Sequence, residues 1–150
     1  MILIAHRGNI YGKNTKYENH PDYIKQALHK NYDVEIDVWY KDGKFILGHD
    51  KPLYNIEKSF LQNKKIWCHA KNIQGLQQLL DINAHCFYHI DDDVTLTSKG
   101  YIWTMPGYDL TNKSICVLPE KTIKNRSDHS LPNQNNPCYG ICSDIIGKYQ

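Results

Sequence analysis

The sequence lacks the long apolar segments and the leader pattern that mark membrane and exported proteins. A membrane-spanning helix needs about 18 or more consecutive apolar residues, and no run in this chain of 150 residues approaches that length. The apolar residues 2–5 form a short run with no basic segment before it, unlike a signal peptide. We therefore expect a cytoplasmic protein without membrane insertion.

Arginine is scarce, and the basic residues are not gathered into stripes. The chain has 2 Arg against 16 Lys, and its formal net charge is only +2. A nucleic-acid-binding surface usually carries a basic face interleaved with aromatic residues. We therefore expect no nucleic-acid partner.

Cysteine is present in an odd number, which argues against a disulfide framework. The five cysteines are spread through apolar segments. Cys138 and Cys142 are four residues apart, but a structural zinc site would need a second pair of ligands, and the sequence offers no second cysteine pair. Buried free thiols in a reducing compartment are the expectation.

Short apolar segments of the kind that form buried strands recur along the chain. Several are nearly continuous in apolar character, which favours parallel strands buried on both faces. Helical patterns are convincing only at residues 21–30, with Asn19 as the expected N-cap, and at residues 73–80. The predicted strands are residues 2–7, 33–40, 44–49, 66–71, 86–90, 101–104, 114–118 and 139–143.

Alternating strands and helices in the first half suggest βα units, but the second half leaves little room for helices. The connections at residues 91–100 and 106–113 are too short for full crossover helices, and residues 119–137 are polar and irregular. A typical βα barrel has about 250 residues. A barrel built from this chain would therefore have lost helices.

Polar residues stand within or at the ends of these apolar strands. Residues two apart on a strand point to the same side, so Glu35 and Asp37 present two carboxylates together, and His69 lies beside Lys71 in the same way. Two carboxylates in an apolar strand repel each other and lose hydration. A divalent cation relieves both costs, and so does an ion-pair network with Arg7 and Lys71; both interpretations stay open.

Two histidines are candidates for general acid–base chemistry. His6 and His49 each adjoin a charged residue, Arg7 or Asp50, in a glycine-containing turn, and imidazole titrates near neutrality. The remaining histidines away from these strand ends are interpreted as ordinary polar residues; they are His20, His29, His85 and His129.

The motifs of the first half resemble the N-terminal signature of the glycerophosphodiester phosphodiesterase family. Its order and spacing are matched by residues 4–8 (Ile-Ala-His-Arg-Gly), Glu18-Asn19, residues 35–38 (Glu-Ile-Asp-Val), Asp42-Gly43 and His49-Asp50. Lys71 matches the lysine that ends the third barrel strand, and residues 140–144 are similar to the closing strand of the family.

The resemblance implies a fold and a set of roles. The fold is an α/β, reduced TIM-type (β/α) barrel, a single domain over residues 1–150, with several crossover helices shortened or missing. Missing helices would expose apolar strand flanks, so a homo-oligomer is a candidate assembly. The implied roles are acid–base catalysis by His6 and His49, phosphate binding by Arg7 and Lys71, metal binding by Glu35 and Asp37, and lining of the site by Glu18 and Asn19.

One position departs from the family. Two residues before the lysine the family places a carboxylate that completes the metal site, and here that residue is His69. The family ion is commonly Mg or Ca, whereas a ring nitrogen suits Mn, Fe or Zn. His89, at the end of the next predicted strand, is a candidate second nitrogen or site-lining residue.

The resulting expectation is a metal-dependent phosphodiester hydrolase that acts on a small phosphodiester and uses one divalent metal ion, Mg or Ca by resemblance and Mn or Zn because of His69. The alternative is a non-catalytic barrel that binds a phosphorylated ligand or partner. A phosphoesterase acting on nucleic acid is disfavoured by the scattered basic residues.

Overall fold

The structure is a computed structural model that describes residues 1–121, 132 and 137–150. These residues contain ten strands, three α-helices and two short 3-10 helices, the latter at Pro119–Lys121 and Ile146–Tyr149. The strands are β1 (Ile2–His6), β2 (Asp33–Lys41), β3 (Lys44–Leu47), β4 (Tyr54–Ile56), β5 (Ile66–Ala70), β6 (Cys86–Phe87), β7 (Val94–Leu96), β8 (Ile102–Thr104), β9 (Ser114–Val117) and β10 (Gly140–Ser143). The helices are α1 (Pro21–His29), α2 (Lys58–Leu61) and α3 (Ile73–Asp81).

All ten strands belong to one mixed sheet. Eight of them follow the path β4-β3-β2-β1-β10-β9-β8-β7 and curl into a half-barrel, while β5 and β6 attach along the other side of β2. The pairs of β1 with β2 and β10, of β2 with β5, of β5 with β6, of β9 with β10 and of β8 with β9 are parallel. The pairs of β2 with β3, of β3 with β4 and of β7 with β8 are antiparallel.

The prediction of an α/β, reduced TIM-type barrel is wrong. The fold of the described residues is mainly β, with three short helices and a mixed sheet. The physical reason lies in the connections: residues 105–113, which join the parallel strands β8 and β9, and residues 88–93, between β6 and β7, are too few for a full crossover helix. The chain instead reverses direction after β2 and after β7, which adds the antiparallel pairs with β3 and β8.

Helix α1 begins at Pro21, as predicted, but its N-cap lies one residue after the expected Asn19. His20 is the N-cap, and its Nδ1 accepts a hydrogen bond from the backbone N–H of Asp22. Asn19 has a positive φ of 63° and its side chain turns away from the helix towards β2. In α3, Asn72 caps the helix by accepting from the N–H of Gly75, as an Asn N-cap usually does.

The sheet has an apolar cluster on each face. The helix side is packed by residues such as Ile24, Val34 and Leu79, whereas the concave side holds Trp67, Phe87 and Trp103. The expectation of buried free thiols is confirmed for four cysteines, while Cys138 is only half-buried. In the described part of the chain, no helix has the length and apolar character needed to traverse a bilayer.

The expectation of irregular structure over residues 119–137 falls largely outside the described residues, and so does His129. The described part of that stretch includes the 3-10 helix at Pro119–Lys121.

Candidate functional site

A cavity of about 460 Å³ opens at the carboxyl-terminal ends of the parallel strands. Parallel strands expose their terminal residues at one edge of the sheet, so residues far apart in sequence meet there. The cavity brings together six of the predicted site residues, His6, Arg7, Glu35, His49, His69 and Lys71, and His89 also lines it.

Strand register explains why the central side chains are neighbours. His6 of β1 lies opposite Glu35 of β2, and Asp37 of β2 lies opposite His69 of β5. Because side chains alternate along a strand, Glu35 and Asp37 share one face, as predicted. Both are almost completely buried, with 2% and 0% of their surface exposed.

Glu35 is poorly compensated for a buried carboxylate. Burial, followed by repulsion from the Asp37 carboxylate, raises the pKa of Glu35. Its Oε2 has no hydrogen-bond partner among the described residues, and His6 Nε2 lies 3.8 Å from it. A bound cation would stabilise the ionised form of Glu35 in this position.

The two oxygens of Asp37 have different surroundings. Asn19 donates its Nδ2 hydrogen to Oδ2 at 2.8 Å, and Arg7 Nε lies 3.0 Å from the same oxygen. Oδ1 has no hydrogen-bond partner in the described chain, although Lys71 Nζ approaches to 3.7 Å. Burial acts to raise the pKa of Asp37, but His69, Arg7 and Lys71 together hold it well below its ordinary value.

His69 completes a cluster with these two carboxylates. Its Nδ1 lies 3.2 Å from Asp37 Oδ1 and 3.9 Å from Glu35 Oε1, and the ligand atoms of the three residues all lie within 4.8 Å of one another. Two ligands of one ion, each about 2.0–2.2 Å from it, lie about 3–4 Å apart. Two buried carboxylates, each with an oxygen that has no hydrogen-bond partner in the described chain, lie with an imidazole nitrogen at separations that fit a divalent metal ion.

His6 is oriented by a carboxylate from the last strand. Its Nδ1 lies 2.7 Å from Oδ1 of Asp144, and Asn9 donates its Nδ2 hydrogen to the same oxygen at 2.8 Å. Burial opposes ionisation of Asp144, but the hydrogen bond from His6 lowers the pKa of Asp144 below its usual value. Because Nδ1 faces Asp144, the Nε2 atom of His6 is directed at the cavity.

His49 stands at the rim of the cavity on the loop after β3. Its Nδ1 lies 2.7 Å from Asp50 Oδ1. Burial, with a contribution from Arg7 and Lys71, lowers the pKa of His49 from its ordinary value. The loop is fixed at Gly48, whose carbonyl accepts a hydrogen bond from Trp39 Nε1 at 2.7 Å.

The three residues expected to line the site have different surroundings. Glu18 contacts Arg7, with its Oε2 3.3 Å from the Nη1 atom, and Asn19 holds Asp37 as described above. His89 stacks on the ring of His69 at 4.4 Å between centroids. Burial lowers the pKa of His89 to about 4, and among the described residues the candidate metal cluster does not include it.

Sequence reasoning assigned no role to Asp144, Asn9 or the apolar wall of the cavity. Asp144 follows β10 directly, so its position at a strand end was the available signal. Trp103, Val117 and Leu118 also line the cavity, from and just after β8 and β9. The exposed residues Tyr88 and Lys121 also line the cavity.

The geometry of this cavity is the basis for any functional inference, because comparison with other proteins adds none. No protein-family model, no curated protein and no solved structure matches this chain. The resemblance to the glycerophosphodiester phosphodiesterase family therefore stays a prediction based on the motifs quoted above.

Proposed function

We propose that this protein is a metal-dependent phosphodiester hydrolase. One observation carries the proposal: two buried carboxylates with unpartnered oxygens meet an imidazole nitrogen, and two members of this cluster, Glu35 and His69, line the cavity that also holds His6 and His49. A cation and an acid–base pair in one cavity are the minimum that phosphodiester cleavage by this route needs.

The cavity supplies positive charge for a phosphate group. Arg7, Lys71 and Lys121 all line it. Burial opposes the charge on Arg7, but Asp37 and Glu35 raise the pKa of Arg7, so the guanidinium stays protonated. A guanidinium donates several hydrogen bonds in a fixed plane and so matches phosphate oxygens better than an ammonium does.

The opposite wall suits an uncharged part of the substrate. Trp103, Val117 and Leu118 form this wall. A small phosphodiester with its phosphate at Arg7 and Lys71 places one ester group against these apolar side chains.

Glu35, Asp37 and His69 would hold the divalent metal ion. When bound, the ion neutralises charge on the phosphate oxygens and makes the phosphorus more electrophilic. Arg7 and Lys71 orient the same group from the side of the cavity.

The two histidines divide the proton transfers. Because its pKa is lowered, His49 is neutral at pH 7, and with Nδ1 directed at Asp50 its Nε2 accepts a proton from the attacking water or substrate hydroxyl. The attacking oxygen forms a bond to phosphorus while the bond to the leaving oxygen breaks. His6, whose Nδ1 is held 2.7 Å from Asp144 Oδ1, gives a proton from its Nε2 atom to the leaving oxygen.

The proposal is tested by incubating the protein with glycerophosphodiesters and with bis(p-nitrophenyl) phosphate in the presence of Mg²⁺, Ca²⁺, Mn²⁺ or Zn²⁺. We expect His6→Ala and His49→Ala each to lower turnover about 10²–10⁴-fold. His29→Ala is the matched control, because His29 is exposed on α1 and outside the cavity. Wild-type rates in both cavity variants would contradict the assigned roles.

A phosphate-binding function without turnover is the second candidate, and the three cationic side chains favour it as much as they favour catalysis. The same preparations distinguish the two functions. Calorimetric binding of glycerol 3-phosphate that depends on Arg7, without hydrolysis of any phosphodiester under any of the four cations, would support the binding function and contradict the hydrolase.

A further inference from the structure

The orientation of His69 decides which of its nitrogens faces the two carboxylates. Its Nε2 lies 3.2 Å from the carbonyl oxygen of His89, and its ring is stacked nearly parallel to those of Phe87 and His89, with interplanar angles of 4° and 2°. A carbonyl oxygen only accepts hydrogen bonds, so in this contact Nε2 carries the hydrogen. Nδ1 is then the atom that meets Asp37 and Glu35.

A His69 ring with its hydrogen on Nε2 directs the lone pair of Nδ1 at two carboxylate oxygens. Its Nδ1 lone pair would stand 3.2 Å from Asp37 Oδ1 and 3.9 Å from Glu35 Oε1, and lone pairs repel. A second proton, on Nδ1, would form a hydrogen bond to Asp37 but would leave Glu35 Oε2 without a hydrogen-bond partner in the described chain. A metal ion bound by all three side chains compensates both carboxylates at once.

Asp37 and His69 are both held in the orientation that a ligand set needs. The second oxygen of Asp37 is occupied by Asn19 and Arg7, so Oδ1 faces the cluster. The far nitrogen of His69 is occupied by a backbone carbonyl, which is the usual support for a metal-ligating histidine. The proposed ligand set is therefore two carboxylate oxygens, from Glu35 and Asp37, and one imidazole nitrogen, from His69.

We propose that this site selects a transition metal of the series from Mn²⁺ to Zn²⁺ over Ca²⁺ and Mg²⁺, and that the Nδ1 atom of His69 is the selecting ligand. Ca²⁺ and Mg²⁺ prefer oxygen ligands, and exchanging a carboxylate for a neutral imidazole removes one negative charge from their site. An imidazole nitrogen raises affinity along the series from Mn²⁺ to Zn²⁺. The inference rests on the proposed metal-dependent function and names the ion that it uses.

The test measures metal binding itself. Chelator-treated protein is melted with Mg²⁺, Ca²⁺, Mn²⁺ or Zn²⁺, and affinities for Mn²⁺ and Ca²⁺ are measured by calorimetry. We expect Mn²⁺ to bind at least about tenfold more tightly than Ca²⁺, and His69→Glu to remove or reverse that preference. His29→Glu makes the same change on the exposed face of α1 and should leave the preference unaltered.

A spectroscopic measurement on the wild type covers the case in which His69→Glu does not fold. Electron spin-echo modulation of bound Mn²⁺ should show coupling to an imidazole ¹⁴N. A wild type that prefers Ca²⁺, that is indifferent to all four ions, or whose bound Mn²⁺ shows no ¹⁴N coupling would overturn the inference.

Hydrolysis assays run in parallel separate this inference from the proposed function. Mn²⁺ bound through nitrogen in a protein that cleaves no phosphodiester supports the metal assignment and contradicts the hydrolase. Cleavage supported best by Ca²⁺ supports the hydrolase and overturns the metal assignment.

Discussion

Replacing Glu35 with glutamine should stabilise the metal-free protein. The substitution keeps the shape of the side chain and removes a charge that is 98% withdrawn from solvent, since only 2% of the residue is exposed. It also replaces one carboxylate oxygen with an amide N–H donor near the ring nitrogens of His6 and His69, which lie 3.8 and 3.9 Å from the present oxygens.

The expected gain follows from two costs that the substitution removes. A buried polar atom without a partner costs about 1–3 kcal/mol. Repulsion between two charges within 4.8 Å of each other costs about 3 kcal/mol at an effective dielectric constant of about 20. The nearby His6, Arg7 and His69 offset part of both costs, so we expect a net gain of about 1–3 kcal/mol, or about 2–10 °C in melting temperature.

The gain should depend on pH in a defined direction. The pKa of Glu35 is raised in the folded protein by burial and by Asp37, so its ionised form destabilises the fold. That cost is absent below the unfolded pKa of about 4.3 and grows as the pH rises towards the folded value. The difference between Glu35→Gln and wild type should therefore be present at pH 7 and vanish near pH 4.

Chemical denaturation of chelator-treated protein, monitored by tryptophan fluorescence, measures the difference. Glu57→Gln is the matched control, because Glu57 is exposed and makes no capping hydrogen bond to α2, and it should change stability by less than about 0.5 kcal/mol. Added Mn²⁺ should stabilise wild type by about 2.7 kcal/mol at a hundredfold excess over Kd and leave Glu35→Gln unchanged.

Loss of stability in Glu35→Gln would refute this reasoning. Breaking a buried ion pair by removing one charge costs about 3–5 kcal/mol. A destabilisation of that size in the absence of metal would make Glu35 a member of a structural ion-pair network with Arg7 and the histidines, which is the interpretation that the sequence left open.

Three further predictions concern the acid–base residues and the loop that carries one of them. The kcat/KM of the free enzyme should fall as the pH drops through a value below 6.5, because burial lowers the pKa of His49, and a limb centred above 6.5 would contradict His49 as the base. Asp144→Asn should lower kcat by at least about tenfold with little change in KM, because Asp144 holds Nδ1 of His6 at 2.7 Å, and an unchanged kcat would remove this positioning role. Gly48→Ala should destabilise the fold by about 2 kcal/mol more than Gly43→Ala. Both glycines have positive φ, but a Cβ at Gly48 would stand 2.0 Å from the Lys51 carbonyl oxygen, whereas one at Gly43 would meet no atom within 4 Å. Equal melting temperatures of the two variants would contradict this prediction.

Local patterns in the sequence predicted the core of the site. Glu35 and Asp37 share a face because a strand alternates with a period of two, which is visible in one apolar segment. His6 and His69 end or nearly end strands whose apolar character marks them, and parallel pairing aligns those ends. The pattern of neighbouring residues in the sequence is therefore enough to predict that such side chains lie together.

Contacts between distant segments were not predictable in the same way. Asp144 meets His6 across 138 positions of sequence, and Asn19 bonds to Asp37 through a backbone turn with positive φ rather than capping α1. Strands β4 and β7, of three residues each, are too short to show a period, and the antiparallel pairing of β7 with β8 replaces the expected crossover. The barrel prediction was wrong because it kept a (β/α) architecture with some helices missing, whereas β3, β4 and β7 add antiparallel pairs to the sheet in place of βα units.

The central claim, that this cavity cleaves phosphodiesters with a metal ion and two histidines, is tested most directly by ³¹P NMR. Chelator-treated protein, supplied with one cation at a time, is incubated with a mixture of glycerophosphodiesters alongside His6→Ala. We expect the diester resonances to give way to a phosphomonoester, or first to a cyclic phosphate if the substrate hydroxyl attacks, only when a divalent ion is present and only with His6 intact. Diester resonances that persist under every cation, or that decay equally with His6→Ala, would contradict the account.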